Sequence, residues 1–141
     1  MLIKQLSIFL ENKSGRLNEV SKILGSNGIN MSAFTVADTS EFGILRLIVS
    51  EPELACKVLR DNQFSVNLTD VICLNCPNHP GALAKALQIL SDNEVSIEYL
   101  YAYSMGDSAN VVIKPDLLDK CIRVLQEHQM ELVNASSLYK I

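Results

Sequence analysis

The residues best suited to chemistry are those of a six-residue turn that occurs twice, Asn12-Lys13-Ser14-Gly15-Arg16-Leu17 and Asn78-His79-Pro80-Gly81-Ala82-Leu83. A polar turn with glycine at a helix start exposes backbone N–H groups that have no helical acceptor. That end of a helix also carries partial positive charge, and it receives carboxylates or phosphates. Glycine lets a ligand come close to the main chain, and asparagine offers an amide donor beside a carbonyl acceptor. The same residues also build a turn and cap a helix with no ligand, so residue chemistry alone leaves both readings open.

Cys73-Leu74-Asn75-Cys76, followed by His79, has the spacing of zinc and redox motifs. On an extended segment, however, positions three apart point to opposite faces, so one metal would need a local bend. Only three ligands lie close together, one short of a closed structural zinc site. We therefore expect half-buried or buried thiols, no metal and no cofactor, with Cys56 and Cys121 in the core. Tyr99, Tyr101 and Tyr103 alternate on one strand face. The basic-glycine-aromatic signature of an RNA-recognition surface is missing around them. No nucleophile elbow, phosphate loop or dinucleotide fingerprint is present, and His79 and His128 lie far apart. An enzyme is not expected.

The chain of 141 residues is 48% hydrophobic and 20% charged, with a net charge of −4. That composition suits a packed globular protein. The acidic balance disfavours nucleic acid and anionic membranes as partners. No apolar run approaches a membrane span, and the N-terminus lacks a signal-peptide pattern. A cytoplasmic location with reduced cysteines is the expectation.

The elements that position the two turns repeat as well. An offset of 66 residues aligns the chain on itself without a gap. It matches Asn12 to Asn78, Gly15 to Gly81, Leu17 to Leu83, Ile23 to Ile89, Leu24 to Leu90 and Asn27 to Asn93. Val58, Leu59 and Gln63 match Val124, Leu125 and Gln129 in the same register. Each copy reads as strand-helix-strand-strand-helix-strand. In the first, residues 3–10 form a strand, and a helix follows whose inward face is Leu17, Val20, Ile23 and Leu24. Gly28 ends that helix in a left-handed cap. Strands 29–37 and 42–49 flank the turn Asp38-Thr39-Ser40-Glu41. Pro52 opens a second helix with Leu54, Val58 and Leu59 inward. The second copy reads as strand 69–76, helix 81–92, strands 95–103 and 109–113, helix 116–128 and strand 131–139. The fold class is α+β: two ferredoxin-like βαββαβ units in tandem, with antiparallel sheets and helices packed on one face. The expected domains are 1–67 and 68–141, with 65–76 read as one long strand shared by both.

The turn Asn-x-(Ser/Pro)-Gly-x-Leu follows a strand and opens a helix. Beyond that helix comes Gly28-Ile29-Asn30-Met31 in one copy and Glu94-Val95-Ser96-Ile97 in the other. In this order the chain resembles two tandem ACT domains. The second copy carries the family's usual Pro-Gly at Pro80 and Gly81, whereas Ser14 stands in the first. Glu94 likewise replaces the glycine found at Gly28.

The resemblance implies small regulatory modules that pair side by side and bind a free amino acid where they meet. The implied ligand residues are the loop positions Asn12, Lys13, Ser14, Gly15, Arg16 and Leu17, with Asn78, His79, Pro80, Gly81, Ala82 and Leu83. The second-strand starts Asn30, Met31, Ser32 and Ala33, with Ser96, Ile97, Glu98 and Tyr99, complete the set. The implied partners are an amino-acid ligand, a second copy of the chain and an enzyme of amino-acid metabolism. The alternative is a ligand-free interaction or accessory module.

Overall fold

The computed structural model describes residues 2–11, 14–38 and 42–139. Its strands are β1 (Ile3–Glu11), β2 (Met31–Asp38), β3 (Phe42–Val49), β4 (Ser65–Pro77), β5 (Ile97–Met105), β6 (Ser108–Pro115) and β7 (Glu131–Leu132). Its helices are α1 (Arg16–Ser26), α2 (Pro52–Asp61), α3 (Ala82–Asp92), α4 (Leu118–Glu127) and α5 (Ala135–Tyr139). The chain forms two compact units. The N-terminal unit is Lys4–Thr69 with Ser136–Ile141, and the C-terminal unit is Asp70–Ala135 with Met1–Ile3. β4 is continuous over 13 residues and contributes to both.

In the N-terminal unit the strand order is β2-β3-β1-β4, with antiparallel β1/β3 and β2/β3 ladders. The pleat sends Leu6, Ile8 and Leu10 to one face, where they meet Leu45, Leu47 and Val49 of β3. Val20 and Leu24 of α1 close over that face with Ala55, Cys56 and Leu59 of α2. The C-terminal unit repeats the scheme in the order β5-β6-β4-β7. There Ile72, Leu74 and Cys76 pack under Ala86 and Leu90 of α3 and Val124 and Leu125 of α4. Helices therefore cover one face of an antiparallel sheet in each unit, as the repeated pattern requires.

Three local expectations change. Leu17 is 49% exposed although its spacing put it on the inward face, since it lies on the first turn, beyond the reach of the core. On α2, Leu54 faces outward and Ala55 and Cys56 take the inward places. The tract 131–139 is not one strand. Only Glu131 and Leu132 pair with β4, and α5 follows. Leu138 is fully buried there, and the Lys4 N–H donates to the Tyr139 hydroxyl at 2.7 Å. These two contacts give α5 a place that alternation along the segment does not reveal. Of the turn 38–41, residues 39–41 lie outside the described residues.

Candidate functional site

Each of the two turns ends on a glycine in the left-handed region, Gly15 at φ 87° and Gly81 at φ 89°. That conformation costs an L-residue its Cβ–carbonyl clearance, so the backbone itself favours glycine. Among the described residues neither helix receives a side-chain cap. At α3 the Ala82 N–H bonds to the His79 carbonyl and the Lys85 N–H to the Gly81 carbonyl. The N–H groups of Leu83 and Ala84 between them have no acceptor among the described residues. They are donors available to an anion at the positive end of the helix. Asn12 and Lys13 lie outside the described residues, and Ser14 is exposed.

The second turn is moored to the β5–β6 hairpin, since the Asn78 N–H donates to the Asp107 carbonyl at 2.8 Å. Beside it lies an open pocket of about 430 Å³ lined by Asn75, Pro77, Asp107, Ser108, Gln129, Met130 and Glu131. The Asn75 amide NH2 donates to Asn110 Oδ1 at 2.8 Å, and the Asn110 NH2 donates to the Tyr103 hydroxyl at 3.1 Å. This chain of amides fixes the Asn75 side chain where it lines the pocket. His79, Pro80 and Gly81 are exposed, and Ala82 and Leu83 are half-buried.

The second-strand starts occupy the other end of each sheet. β1 ends with Glu11 opposite Phe42, and β2 ends with Asp38 opposite Gly43, so the first turn sits at the hairpin end. Met31 instead pairs with Val49. In the C-terminal unit Pro77 and Met105 both pair with Ser108, whereas Ile97 pairs with Pro115. Turn and second-strand start are thus separated by roughly 20 Å at about 3.3 Å per residue. A pocket within one unit therefore cannot use both.

The starts themselves are built alike. Asn30 exchanges hydrogen bonds with Ser50, and Ser96 does so with Asp116, at 2.9–3.1 Å. A register shift follows in each strand, between Met31 and Ala33 and between Ile97 and Tyr99, placing Ser32 and Glu98 at irregularities. Glu98 pairs with Lys114 at 3.2 Å. Met31 and Ile97 pack against the cores, and Ala33 is buried.

Cys73 and Cys76 do fall on opposite faces. Cys76 joins the core under the helices, and Cys73 is buried on the other side. Burial, with Cys76 nearby, pushes the Cys73 thiol up to about 12. Burial pushes Cys121 up to about 11. Neither is a nucleophile near neutral pH, because the thiolate is the reactive form. Cys56 and Cys121 are core residues as expected. Tyr99, Tyr101 and Tyr103 share the sheet face away from the helices, opposite Lys114, Val112 and Asn110.

The sequence-based selection missed Asn75, Asp107, Asn110 and Glu19, which shape the surroundings of the turns. The same offset of 66 residues pointed to some of them. It sets Asn75 against Phe9, Asn110 against Ile44 and Glu19 against Lys85, and such polarity changes between copies mark where they diverge.

A family model described as an ACT domain pair matches residues 1–141. The chain is a member of the ACT domain family. It is also similar to a solved structure, protein BT0572 from Bacteroides thetaiotaomicron, with 56% identity. That match covers 100% of this chain and 98% of the other at a TM-score of 0.97. The regulatory subunit of aspartate kinase from Thermus thermophilus shares the ACT-pair fold at 15% identity. Its TM-score is 0.68, with 89% of this chain and 93% of that chain covered. The corresponding subunit from Thermus flavus gives 16% identity and a TM-score of 0.60, covering 90% and 94%. No curated protein sequence matches this ACT pair. Among the described residues no helix is long and apolar enough to cross a membrane, and no cluster of metal-binding side chains occurs.

Proposed function

We propose that this ACT pair is a non-enzymatic regulatory protein that binds a free amino acid where ACT units meet and passes the signal to a separate enzyme or regulator. The observation that carries the reading is the turn ending in a left-handed glycine at an uncapped helix start, present in both halves of a chain matched throughout by an ACT-pair model. The ligand carboxylate takes the free N–H groups at such a helix start, supported at α3 by Leu83 and Ala84. The ammonium group takes carbonyl acceptors, among them Asn12 or Asn78 and the second-strand starts Asn30–Ala33 and Ser96–Tyr99. Since a turn and the second-strand start of its own unit lie at opposite sheet ends, ligand binding favours one packing of two units or two chains. That population shift is the signal.

A thermal-shift panel of the common amino acids tests this. A ligand at about 100 times its dissociation constant adds roughly 2.7 kcal/mol. For a domain of this size that raises Tm by several degrees, about 2–4 °C per kcal/mol. A flat response to every amino acid would end the amino-acid reading. It would leave an interaction module, which the exposed Phe34 and Val36 on edge strand β2 favour.

A further inference from the structure

The face of the C-terminal sheet away from α3 and α4 carries a polar row that the other sheet lacks. Tyr103 of β5, Asn110 of β6, Asn75 of β4 and Glu131 of β7 stand directly opposite one another across four strands. Directly opposite residues share a face, so these side chains lie side by side. Asn110 is 6% exposed, and its amide links Asn75 to Tyr103. Burying amides costs more than burying hydrocarbon and is tolerated here because the groups bond one another. The fold does not demand the row. At the equivalent positions of the N-terminal sheet stand Ala37, Ile44 and Phe9, paired in the same register. The row ends at the pocket of about 430 Å³, which Glu131 enters from the β7 side of β4 and Asp107 from the β6 side. Neither carboxylate has an ion-pair partner among the described residues, and no cationic side chain lines the pocket. Two carboxylates with neutral amides fall short of a metal site, and no cluster of three metal-binding side chains occurs among the described residues. The complement is an organic cation. Strands lie about 4.8 Å apart, so the two carboxylates rise from backbones roughly 10 Å apart. A short chain with an ammonium group at each end meets both as the acidic side chains reach inward.

We propose that this pocket binds a small aliphatic diamine, with one ammonium group on Asp107, the other on Glu131 and the stem against Pro77 and Met130. The site is independent of the amino-acid reading, since it uses neither helix start and needs no carboxylate on the ligand. The probe is 1,4-diaminobutane, titrated at constant ionic strength into the full-length protein while backbone amide NMR signals are followed. The amides of Asp107, Ser108, Gln129 and Glu131 shift saturably. n-Butylammonium, which engages one carboxylate at a time, binds about threefold or more weakly. Asp107→Asn and Glu131→Gln each weaken the diamine by about threefold or more. Glu127→Gln removes the same charge from an exposed carboxylate paired with Arg123 at 4.0 Å, and it leaves the titration unchanged. All three substitutions lie at exposed positions, and the spectra themselves report that each variant is folded. Absence of a saturable shift at these amides overturns the proposal. So does an n-butylammonium affinity equal to that of the diamine, or an equal loss in all three variants. Diamine binding beside a flat amino-acid panel upholds this site and removes the amino-acid reading alone. A responsive panel without a diamine response does the reverse.

Discussion

Replacing Gly81 by alanine isolates the energy that the turn geometry imposes. A β-carbon built at Gly81 meets nothing within 4 Å, so no neighbour has to move. What remains is the backbone, held at φ 89°. Keeping an L-residue in that region costs about 1–2 kcal/mol. Gly25 is the internal control. It lies inside α1, its φ is outside the left-handed range, and its β-carbon also meets nothing within 4 Å. Alanine there removes the entropic cost of a helical glycine and gains about 0.5–1 kcal/mol. The two substitutions add the same methyl group and are expected to move stability in opposite directions. Urea titration monitored by far-UV circular dichroism reads both changes. At roughly 2–4 °C per kcal/mol, melting curves should show Gly81→Ala lowered by several degrees and Gly25→Ala raised by a few. A neutral or stabilising Gly81→Ala would refute the left-handed conformation and, with it, the reason for glycine in the turn. Because the variant keeps the surrounding space, ligand titrations on its folded fraction then report the turn's role in binding separately from its role in folding.

Other measurements address the remaining features. Glu94 sits at φ 58°, where the first copy has Gly28 at φ 69°. Glu94→Gly should therefore stabilise the protein by up to about 1 kcal/mol in the same urea assay, and a loss would contradict that geometry. Cys73 holds its proton more tightly when folded, at about 12 against an ordinary 9.0. Its contribution is complete below about pH 9 and falls as pH rises toward 12, by about 1.4 kcal/mol per pH unit. Cys73→Val should flatten the alkaline loss of stability, and Cys73 should resist thiol reagents near neutral pH until the protein unfolds. Leu138→Ala removes the fully buried anchor of α5 and should cost about 2–5 kcal/mol. A cost below about 0.5 kcal/mol, measured by urea titration, would mean that α5 is not docked.

Residue order alone was enough to establish the repeat and its element sequence, because those depend on local periods and turn residues. Leu6, Ile8 and Leu10 alternate, Val20 and Leu24 recur at helical spacing, and Gly15, Gly28 and Gly81 take the left-handed conformations that only glycine adopts cheaply. The odd spacing of Cys73 and Cys76 on a strand likewise forbids a shared face. Long-range contacts decided the rest. Leu17 is spaced like a core residue, yet it sits where no core reaches, and α5 exists because Leu138 and Tyr139 find partners far away in sequence. The separation of each turn from its own second-strand start follows from strand register, which is fixed by pairing between segments remote in the chain. The stacking of Arg16 on Phe64, 48 residues further along, is of the same kind. Local sequence determined which residues could bind. Only tertiary packing decided which of them stand together.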